Sequence, residues 1–543
     1  MNPLTDSRAR ATAAADVLAA ARVAHGRRDW QASYSGFTQA SELGPLGTDD
    51  LDAMATAAWR LGHVKESVRL AELVFGQLAR RDPTAAAMKA AEVALAWFTR
   101  GDVNIGQGWL SRARRLLDGA PDGAAHGYLA YLDAIHAVFT RNVDDVPERV
   151  RILRELSARL DDPALTTLAL VAQGIGAMLD GRMREAYEVI DEAMLALLAD
   201  QVPIEWAGEI YCIVLHHCHI VADLPRMRAW TQSMEQWCDL GGSATYGGVC
   251  EVHRLQLQDG TDDYRQIEDR LFTVSSKLEP INSWAAAEGF YQLGEVRRLL
   301  GDADGAQAAF AKTRALGIEP QPGEALLQCG QGDKQAAWTA LRLTLVGQRG
   351  IDRMRTLRGA IHVALARDQL DEAESHCREL EAGAASYGTP GFKAWAAHAR
   401  GSVLVRRDKF GAALDSLMAA LPEYRSQQCR YELAEVYEWM ALAHRGLDDE
   451  ATAAADVATA LSIYDQLGVE PAGICGTSTP GLLTRRELEV LSRIAAGASN
   501  RQVAQQMFIS EKTVSRHLAN VYAKLDVSSR TAAVAWARQH NVL

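Results

Sequence analysis

A helical-hairpin pattern recurs through most of the 543 residues. Each unit has an Ala/Leu-rich helical segment, a short hinge that contains Gly or Asp, and a second helical segment, as in TAAWRLGHVKESVRLAELVFGQL. A hinge glycine can adopt the left-handed conformation that ends one helix and lets the next fold back. The spacing of about 38 residues is typical of helical-hairpin repeats. We therefore predict an all-α array over residues 1–467, with hinges near Gly26, Gly62, Gly101, Asn142, Gly181, Asp223, Gly260, Gly301, Gly332, Asp368, Arg407 and Gly446.

This array resembles a tetratricopeptide-repeat (TPR) solenoid over roughly 450 residues, although its spacing exceeds the 34 residues of that family. The Trp, Tyr and terminal Pro positions of the family are not regularly filled. The resemblance implies a long concave surface that takes a peptide, a protein or a small ligand. Stretches rich in Gly or Pro at 119–125, 241–248 and 318–323 could divide the array into sub-blocks.

The net charge of −12 conceals an asymmetry between the two ends of the chain. Residues 480–543 contain nine Lys/Arg and four Asp/Glu, a local charge of +5, so the rest of the chain carries −17. An acidic body repels DNA, whereas a small basic tail is typical of a nucleic-acid-binding segment.

The N-terminal residues MNPLTDSRARATAAAD are charged and lack the apolar run of a signal peptide. No run of about 18 uncharged apolar residues predicts a membrane span. Eight cysteines without regular spacing fit reduced thiols. We therefore expect a cytoplasmic protein without a membrane segment. The abundance of Arg and Ala hints at a GC-rich bacterial genome.

Residues 468–483, GVEPAGICGTSTPGLL, have the composition of a linker. The remaining residues, 484–543, predict a domain of four short helices. Thr484 and Glu487 form a capping-box pattern before the first helix, and Gly497 ends that helix. Either Ser499 or Asn500 caps the second helix; Ser510 caps the third, and either Ser528 or Ser529 starts the fourth.

The third of these helices, EKTVSRHLANVYAKL over residues 511–525, has an unusual face distribution. At 100° per residue, Val514, Leu518, Val521 and Leu525 form one narrow apolar stripe. The opposite face is small, polar and basic, and a turn over residues 508–510 joins this helix to a shorter one. Two helices in this arrangement predict a helix-turn-helix that reads DNA.

The segments LTRRELEVL, GASNRQVAQQMFISEKTVSRHL and YAKLDVSSRTAAV are similar to the LuxR-type (GerE-type) helix-turn-helix domain over its full length. The resemblance implies a four-helix DNA-binding domain whose third helix enters the major groove and whose fourth, residues 529–540, mediates homodimerisation. Many members carry lysine where this chain has Ser515, which puts more weight on Arg516. By position, the resemblance implies base contacts from Ser515, Arg516 and Ala519, and phosphate contacts from Asn500, Arg501, Lys512, Thr513 and Asn520.

Three neighbouring residues keep two interpretations each. His517 lies beside the apolar stripe, where a packed structural role is favoured over a DNA contact. Lys524 can contact phosphate or pair with a carboxylate of the first helix. Trp536 can lie in the core or in a dimer contact.

The chain lacks the usual signatures of catalysis. No Gly-Lys dipeptide is present for a Walker A loop, and no GxSxG or HExxH occurs. GGSATYGG, residues 241–248, is interpreted as an inter-repeat loop. Cys212, His216 and His219 recur on one helical face, with Cys250 and His253 downstream, and could ligate zinc; a buried helix of a repeat is the favoured interpretation.

We therefore predict a bacterial one-component transcriptional regulator that is not an enzyme and needs no cofactor. Its solenoid senses a ligand or protein partner, and its tail binds double-stranded DNA as a homodimer. The alternative is a protein-interaction scaffold in which the C-terminal domain serves mainly assembly.

Overall fold

The computed structural model describes residues 3–139, 145–199, 201–239, 244–258, 263–474, 485–507, 509–525, 527 and 529–539. Within these ranges the chain forms 28 α-helices and no β-strand, which confirms the all-α prediction. Across the same ranges, no helix is both long enough and apolar enough to cross a membrane.

The first 24 helices pair into twelve helical hairpins that follow one another along the chain. Neighbouring helices pack side by side, and the first helices of successive hairpins also touch, as in a TPR-like solenoid. The helices are α1 Pro3–Gly26, α2 Trp30–Leu43, α3 Thr48–Arg60, α4 Val64–Leu78, α5 Pro83–Thr99, α6 Val103–Leu117, α7 Ala124–Phe139, α8 Val146–Leu160, α9 Pro163–Leu179, α10 Met183–Leu198, α11 Ile204–Ile220, α12 Leu224–Asp239, α13 Ala244–Gln258, α14 Tyr264–Leu278, α15 Ser283–Leu299, α16 Ala303–Ala315, α17 Gly323–Gly330, α18 Lys334–Gly347, α19 Ile351–Ala366, α20 Leu370–Tyr387, α21 Pro390–Arg406, α22 Phe410–Gln427, α23 Arg430–Gly446 and α24 Glu450–Leu467.

The hinges follow the predicted positions, but glycine is not always the left-handed residue. Five hinge glycines have positive φ: Gly62, Gly101, Gly181, Gly301 and Gly332.

At two other hinges the glycine ends the helix, and the left-handed residue is Arg28 or Asp448, two positions later. The prediction that the hinge glycine itself is left-handed was wrong at these two hinges. The geometry of a tight hairpin fixes the position of the left-handed residue, and Asp tolerates that conformation. The predicted hinges at Asn142 and Gly260 lie outside the described residues.

The solenoid winds so that several hairpins meet the fifth one after them. Trp59 of the second hairpin contacts Tyr246 of the seventh, with ring centroids 5.2 Å apart. The amide of Gly391 in the eleventh hairpin donates to the carbonyl of Ala222 in the sixth at 3.0 Å. Successive turns of the superhelix therefore touch.

The hydrophobic core is continuous along most of the array, and the buried residues of the first two hairpins form a separate cluster. One cluster of buried side chains runs from Ala87 to Val469, so the three glycine- and proline-rich stretches do not divide it. The interpretation of GGSATYGG as a loop was wrong for its last five residues, which begin α13. Tyr246 is buried there between Trp59 and Trp237, and this tertiary packing outweighs the low helix propensity of glycine.

Four further helices make up the C-terminal part: α25 Arg485–Ala495, α26 Asn500–Met507, α27 Glu511–Lys524 and α28 Arg530–Gln539. Their core has two adjoining clusters. Val490, Ile494, Val503, Met507 and Leu518 belong to the first, between α25, α26 and α27. The second joins α28 to α25 and α27 through Leu491, Val521, Leu525, Ala533 and Ala537.

Candidate nucleic-acid interface

The inner face of α27 is the stripe that its sequence predicts. Val514 and Val521 are fully buried, and Leu518 and Leu525 are 5% exposed. These side chains fasten α27 to α25, α26 and α28. The helix is therefore held rigidly by one face, and its other face is available to a partner.

Side-chain caps set where the helices of this domain begin. Ser499 Oγ accepts from the Gln502 amide at 3.3 Å, while Gln502 Oε1 accepts from the Ser499 amide at 2.8 Å, a reciprocal capping box that makes Ser499 the cap. Ser510 Oγ accepts from the Thr513 amide at 3.0 Å, as predicted. Ser529 caps α28, and Gly497 ends α25 with φ of 92°. Thr484 lies outside the described residues.

Six of the eight predicted DNA contacts lie on the exposed surface of α26 and α27. Arg516 retains half of its side-chain exposure. Arg516 is accompanied by the exposed residues Arg501, Lys512, Ser515, Ala519 and Asn520. Helices α26 and α27 contribute three exposed cations and, among their described residues, one acid, Glu511 at the first position of α27, which makes this surface favourable to phosphate.

The other two predicted contacts are half-buried and act within the domain. Asn500 Nδ2 donates to Ser515 Oγ at 3.4 Å, which links the start of α26 to α27. Thr513 Oγ1 lies 2.7 Å from Ser510 Oγ at the α27 cap. Asn500 therefore helps to orient α26 relative to α27, whereas Thr513 supports the cap of α27.

Arg516 also meets the solenoid. Its Nη1 donates to Asp304 Oδ2 on α16 at 3.3 Å, and the two side chains are 50% and 89% exposed. Ion pairs at such exposure contribute about 0–1 kcal/mol. A phosphate or guanine can therefore replace Asp304 as the partner of Arg516 at little cost.

The structure describes two of the three residues for which the sequence left two interpretations open, His517 and Trp536. His517 is half-buried beside Leu518. Trp536 is half-buried and packs against the cluster that holds α28 on α25 and α27. The Lys524 side chain lies outside the described residues.

One residue that orders the domain escaped the sequence analysis. Arg530 Nη2 donates to the Ala498 carbonyl at 2.7 Å and ties the start of α28 to the end of α25. No local pattern signals this bond, because its partners are 32 positions apart.

The Cys/His cluster of α11 and α13 is divided among separate partners. His216 faces Glu288 at 3.8 Å and the ring of Trp284. His219 Nε2 lies 3.4 Å from Arg355 Nη2, and His253 Nδ1 lies 3.1 Å from Gln256. Throughout the described ranges, no three His, Cys, Asp or Glu side chains are placed to hold a metal ion.

Comparison with known proteins identifies the C-terminal part. Residues 481–537 match the family described as bacterial regulatory proteins, luxR family. These residues are a LuxR-type helix-turn-helix domain.

The relatives of this LuxR-type domain are bacterial regulatory proteins. The chain is 49% identical over 59 residues to the probable csgAB operon transcriptional regulatory protein of Salmonella typhimurium. The aligned residues make up 11% of this chain and 27% of that protein. It is 52% identical over 60 residues to the uncharacterized transcriptional regulatory protein YhcZ of Bacillus subtilis, 11% of this chain and 28% of the relative. The chain thus spans less than a third of the length of these relatives.

Solved structures with similarity to the whole array are distant. A chain from the crystal structure of the APC/C hetero-tetramer Cut9-Hcn1 has 12% identity and a TM-score of 0.42, with 99% of both chains covered. The apo form of the quorum sensor NprR from B. thuringiensis has 12% identity and a TM-score of 0.30, covering 69% of this chain and 97% of that one. Similarity at these scores has no bearing on function.

Proposed function

We propose that this protein is a DNA-binding transcriptional regulator whose LuxR-type domain reads an operator in the major groove. The observation that carries the proposal is the division of α27 into a buried stripe and an exposed face with Lys512 and Arg516. A recognition helix needs this division, because it must be fixed by one side while the other reaches the base edges. The sequence similarity of this domain to named bacterial regulators supports the same function.

The two cations of α27 have different roles in this proposal. Arg516, with Ser515 and Ala519 beside it, faces the bases, and its guanidinium can donate to guanine O6 and N7 together, which discriminates by about 1–3 kcal/mol. Lys512 lies at the start of the helix, where an ammonium group meets phosphate. Asn500, Arg501, Thr513 and Asn520 approach the backbone beside it.

The domain acts as a homodimer through α28 in this proposal. Thr531, Ala535 and Arg538 are exposed at i, i+4 and i+7, so α28 presents one unburied face after its other face has packed into the domain. A two-fold pair of such helices would place two copies of α27 on an inverted repeat. The solenoid senses a ligand or protein partner and controls this arrangement.

Binding of the full-length protein to DNA tests the proposal. A site is first selected from random duplexes with the wild-type protein, and affinity is then measured for this site and for unrelated DNA over a range of salt. Arg516→Ala should weaken the selected site by roughly 5–150-fold and leave unrelated DNA almost unchanged. Lys512→Ala should weaken both DNAs equally and reduce the slope of log affinity against log salt by about 1.

Arg342→Ala is the matched control, because Arg342 is exposed on α18 of the solenoid, away from α27. This variant should bind both DNAs as the wild type does. If neither α27 variant changes binding, the domain does not read DNA through this face. The scaffold alternative, in which the domain serves assembly, would then be favoured.

A further inference from the structure

A cavity of about 710 Å³ lies inside the second superhelical turn of the solenoid. The first helices of hairpins six to twelve supply most of its wall. Sites for small organic molecules commonly have volumes of about 300–1,000 Å³. The cavity is partly open to solvent, and its volume suits a small molecule.

Flat side chains form much of the cavity wall. Tyr291, Trp395 and Trp439 line it from α15, α21 and α23. His362 and His398 line it as well, and burial lowers the pKa of His362 to about 4 and that of His398 to about 3. At neutral pH these rings are therefore uncharged, and the wall suits a planar apolar body.

Two of the arginines in the wall already have carboxylate partners. Arg298 Nη2 lies 2.9 Å from Glu295 Oε2. Arg358 lies 3.2 Å from a carboxylate oxygen of Glu432 and 3.5 Å from one of Glu435. Their charges are therefore balanced within the wall.

Arg355 differs from these two arginines. In the ranges that the structure covers, it forms no ion pair with a carboxylate, and its Nη2 meets His219 Nε2 at 3.4 Å. Burial and the neighbouring Arg355 lower the pKa of His219, so its ring is neutral. Burial raises the pKa of the nearby Glu288 carboxyl, and the charge of Arg355 opposes that rise. The Glu288 oxygens are nevertheless directed at His216 and Gln256.

The segment that leaves the solenoid also lines this cavity. Residues 469–474, called the strap here, follow α24 and contribute Glu470, Pro471, Ala472 and Ile474 to the wall. Val469 is 8% exposed, and the Glu470 amide lies 3.5 Å from the Leu299 carbonyl. The strap is separated from Arg485, the first residue of α25, by only ten residues.

We propose that this cavity binds a small organic anion with a flat apolar body, whose anionic group pairs with Arg355 and whose body holds the strap against the solenoid. A guanidinium presents paired donors that match a carboxylate, sulfonate or phosphate group, and among the described residues no carboxylate oxygen is in direct contact with those of Arg355. Because the bound molecule contacts the strap, it favours the conformations in which the strap is docked. The regulatory part of this inference rests on the proposed function, since the strap leads to the LuxR-type domain.

Two fluorescent probes that share the same rings test the site in the full-length protein. 8-Anilinonaphthalene-1-sulfonate carries an anionic group, and N-phenyl-1-naphthylamine lacks it. The sulfonate should bind at one saturable site, and Arg355→Gln should weaken it about tenfold or more while changing the affinity of the neutral probe less than twofold. Arg355→Lys keeps the charge and should retain more sulfonate binding than Arg355→Gln.

Arg342→Gln, which removes an exposed arginine of α18, is the control and should leave both probes unaffected. Equal loss of both probes in Arg355→Gln would mean that the cavity had collapsed, and Arg355→Lys then decides: a loss as large as that of Arg355→Gln overturns the proposal. If Arg355→Gln leaves the affinity of the sulfonate probe unchanged, the probe binds elsewhere, on exposed apolar surface, and the proposal is also overturned.

Amide hydrogen exchange of peptides that cover the strap tests the second half of the proposal. The sulfonate probe should slow exchange of residues 469–474 at least fivefold in the wild type and not in Arg355→Gln. Peptides of α3, at the other end of the solenoid, should be unchanged. DNA binding without probe is measured on the same preparations: intact DNA binding with no strap protection refutes this inference alone, and strap protection without DNA binding refutes the proposed function.

Discussion

Gly101→Ala tests whether successive turns of the superhelix touch. Gly101 lies at the hinge between α5 and α6 with φ of 85°, and a Cβ atom there would collide with Ser283 Oγ at the start of α15, five hairpins later. Gly332 is a matched control at the hinge between α17 and α18. Its φ is 94°, and no atom of the described residues lies within 4 Å of its Cβ position.

The two substitutions share one cost and differ in the other. Alanine in the left-handed conformation costs roughly 1–2 kcal/mol at both hinges. Only Gly101→Ala also inserts a methyl group into a packed contact, which costs a further 1–3 kcal/mol or so. The expected losses are therefore about 1–2 kcal/mol at Gly332 and about 2–5 kcal/mol at Gly101.

Hydrogen exchange measured by mass spectrometry suits this prediction, because a repeat array opens locally and need not unfold in two states. Gly101→Ala should speed exchange by roughly 30-fold or more in α5 and α6 and also in α15. Gly332→Ala should speed exchange by about 5–30-fold in α17 and α18 only. Adding Ser283→Ala to Gly101→Ala should recover part of the loss. An effect of Gly101→Ala confined to its own hairpin, or equal to that of Gly332→Ala, would refute the contact between turns.

Two further predictions concern a buried histidine and the dimer. Since His398 stays neutral in the native state until about pH 3 while an unfolded histidine gains its proton near pH 6.5, native stability falls as the pH drops through this window. His398→Gln should lose less stability than the wild type between pH 6.5 and 4, by on the order of 3 kcal/mol in the opening free energy of α21 measured by hydrogen exchange, and equal losses would contradict this reasoning. Ala535→Glu places a charge on the exposed face of α28 and should raise the dimer dissociation constant about tenfold or more in sedimentation, whereas Ser492→Glu on the exposed face of α25 should not; an unchanged dimer would exclude α28 as the interface.

Much of the C-terminal domain was predictable because its signals are local. The stripe of Val514, Leu518 and Val521 follows from helical periodicity alone, and the Ser510 cap follows from the chemistry of a helix N-terminus. The choice of Ser499 over Asn500 needed the structure, because both side chains can cap and only the fold directs Asn500 toward Ser515.

The solenoid shows what periodicity cannot determine. The hinge spacing predicts the hairpins, but a glycine marks only the neighbourhood of the left-handed residue, as Asp448 after Gly446 illustrates. GGSATYGG was interpreted as a loop from its composition, and the packing of Tyr246 made its second half helical. In GGSATYGG the energy of tertiary packing exceeds the local preference, whereas after Gly446 the geometry of the tight hairpin places the left-handed residue at Asp448.

By itself, the amino-acid sequence determined the all-α class, the number and order of the hairpins, and the amphipathic helix that faces DNA in the proposed function. Each depends on residues within a few turns of one another, where side-chain spacing and backbone preference decide the structure. Only the tertiary structure decided that the turns of the solenoid touch, that Arg355 lines a cavity without a carboxylate partner among the described residues, and that the strap lines the same cavity. These features join residues more than a hundred positions apart, and the small rotations between hairpins that bring them together leave no local mark in the sequence.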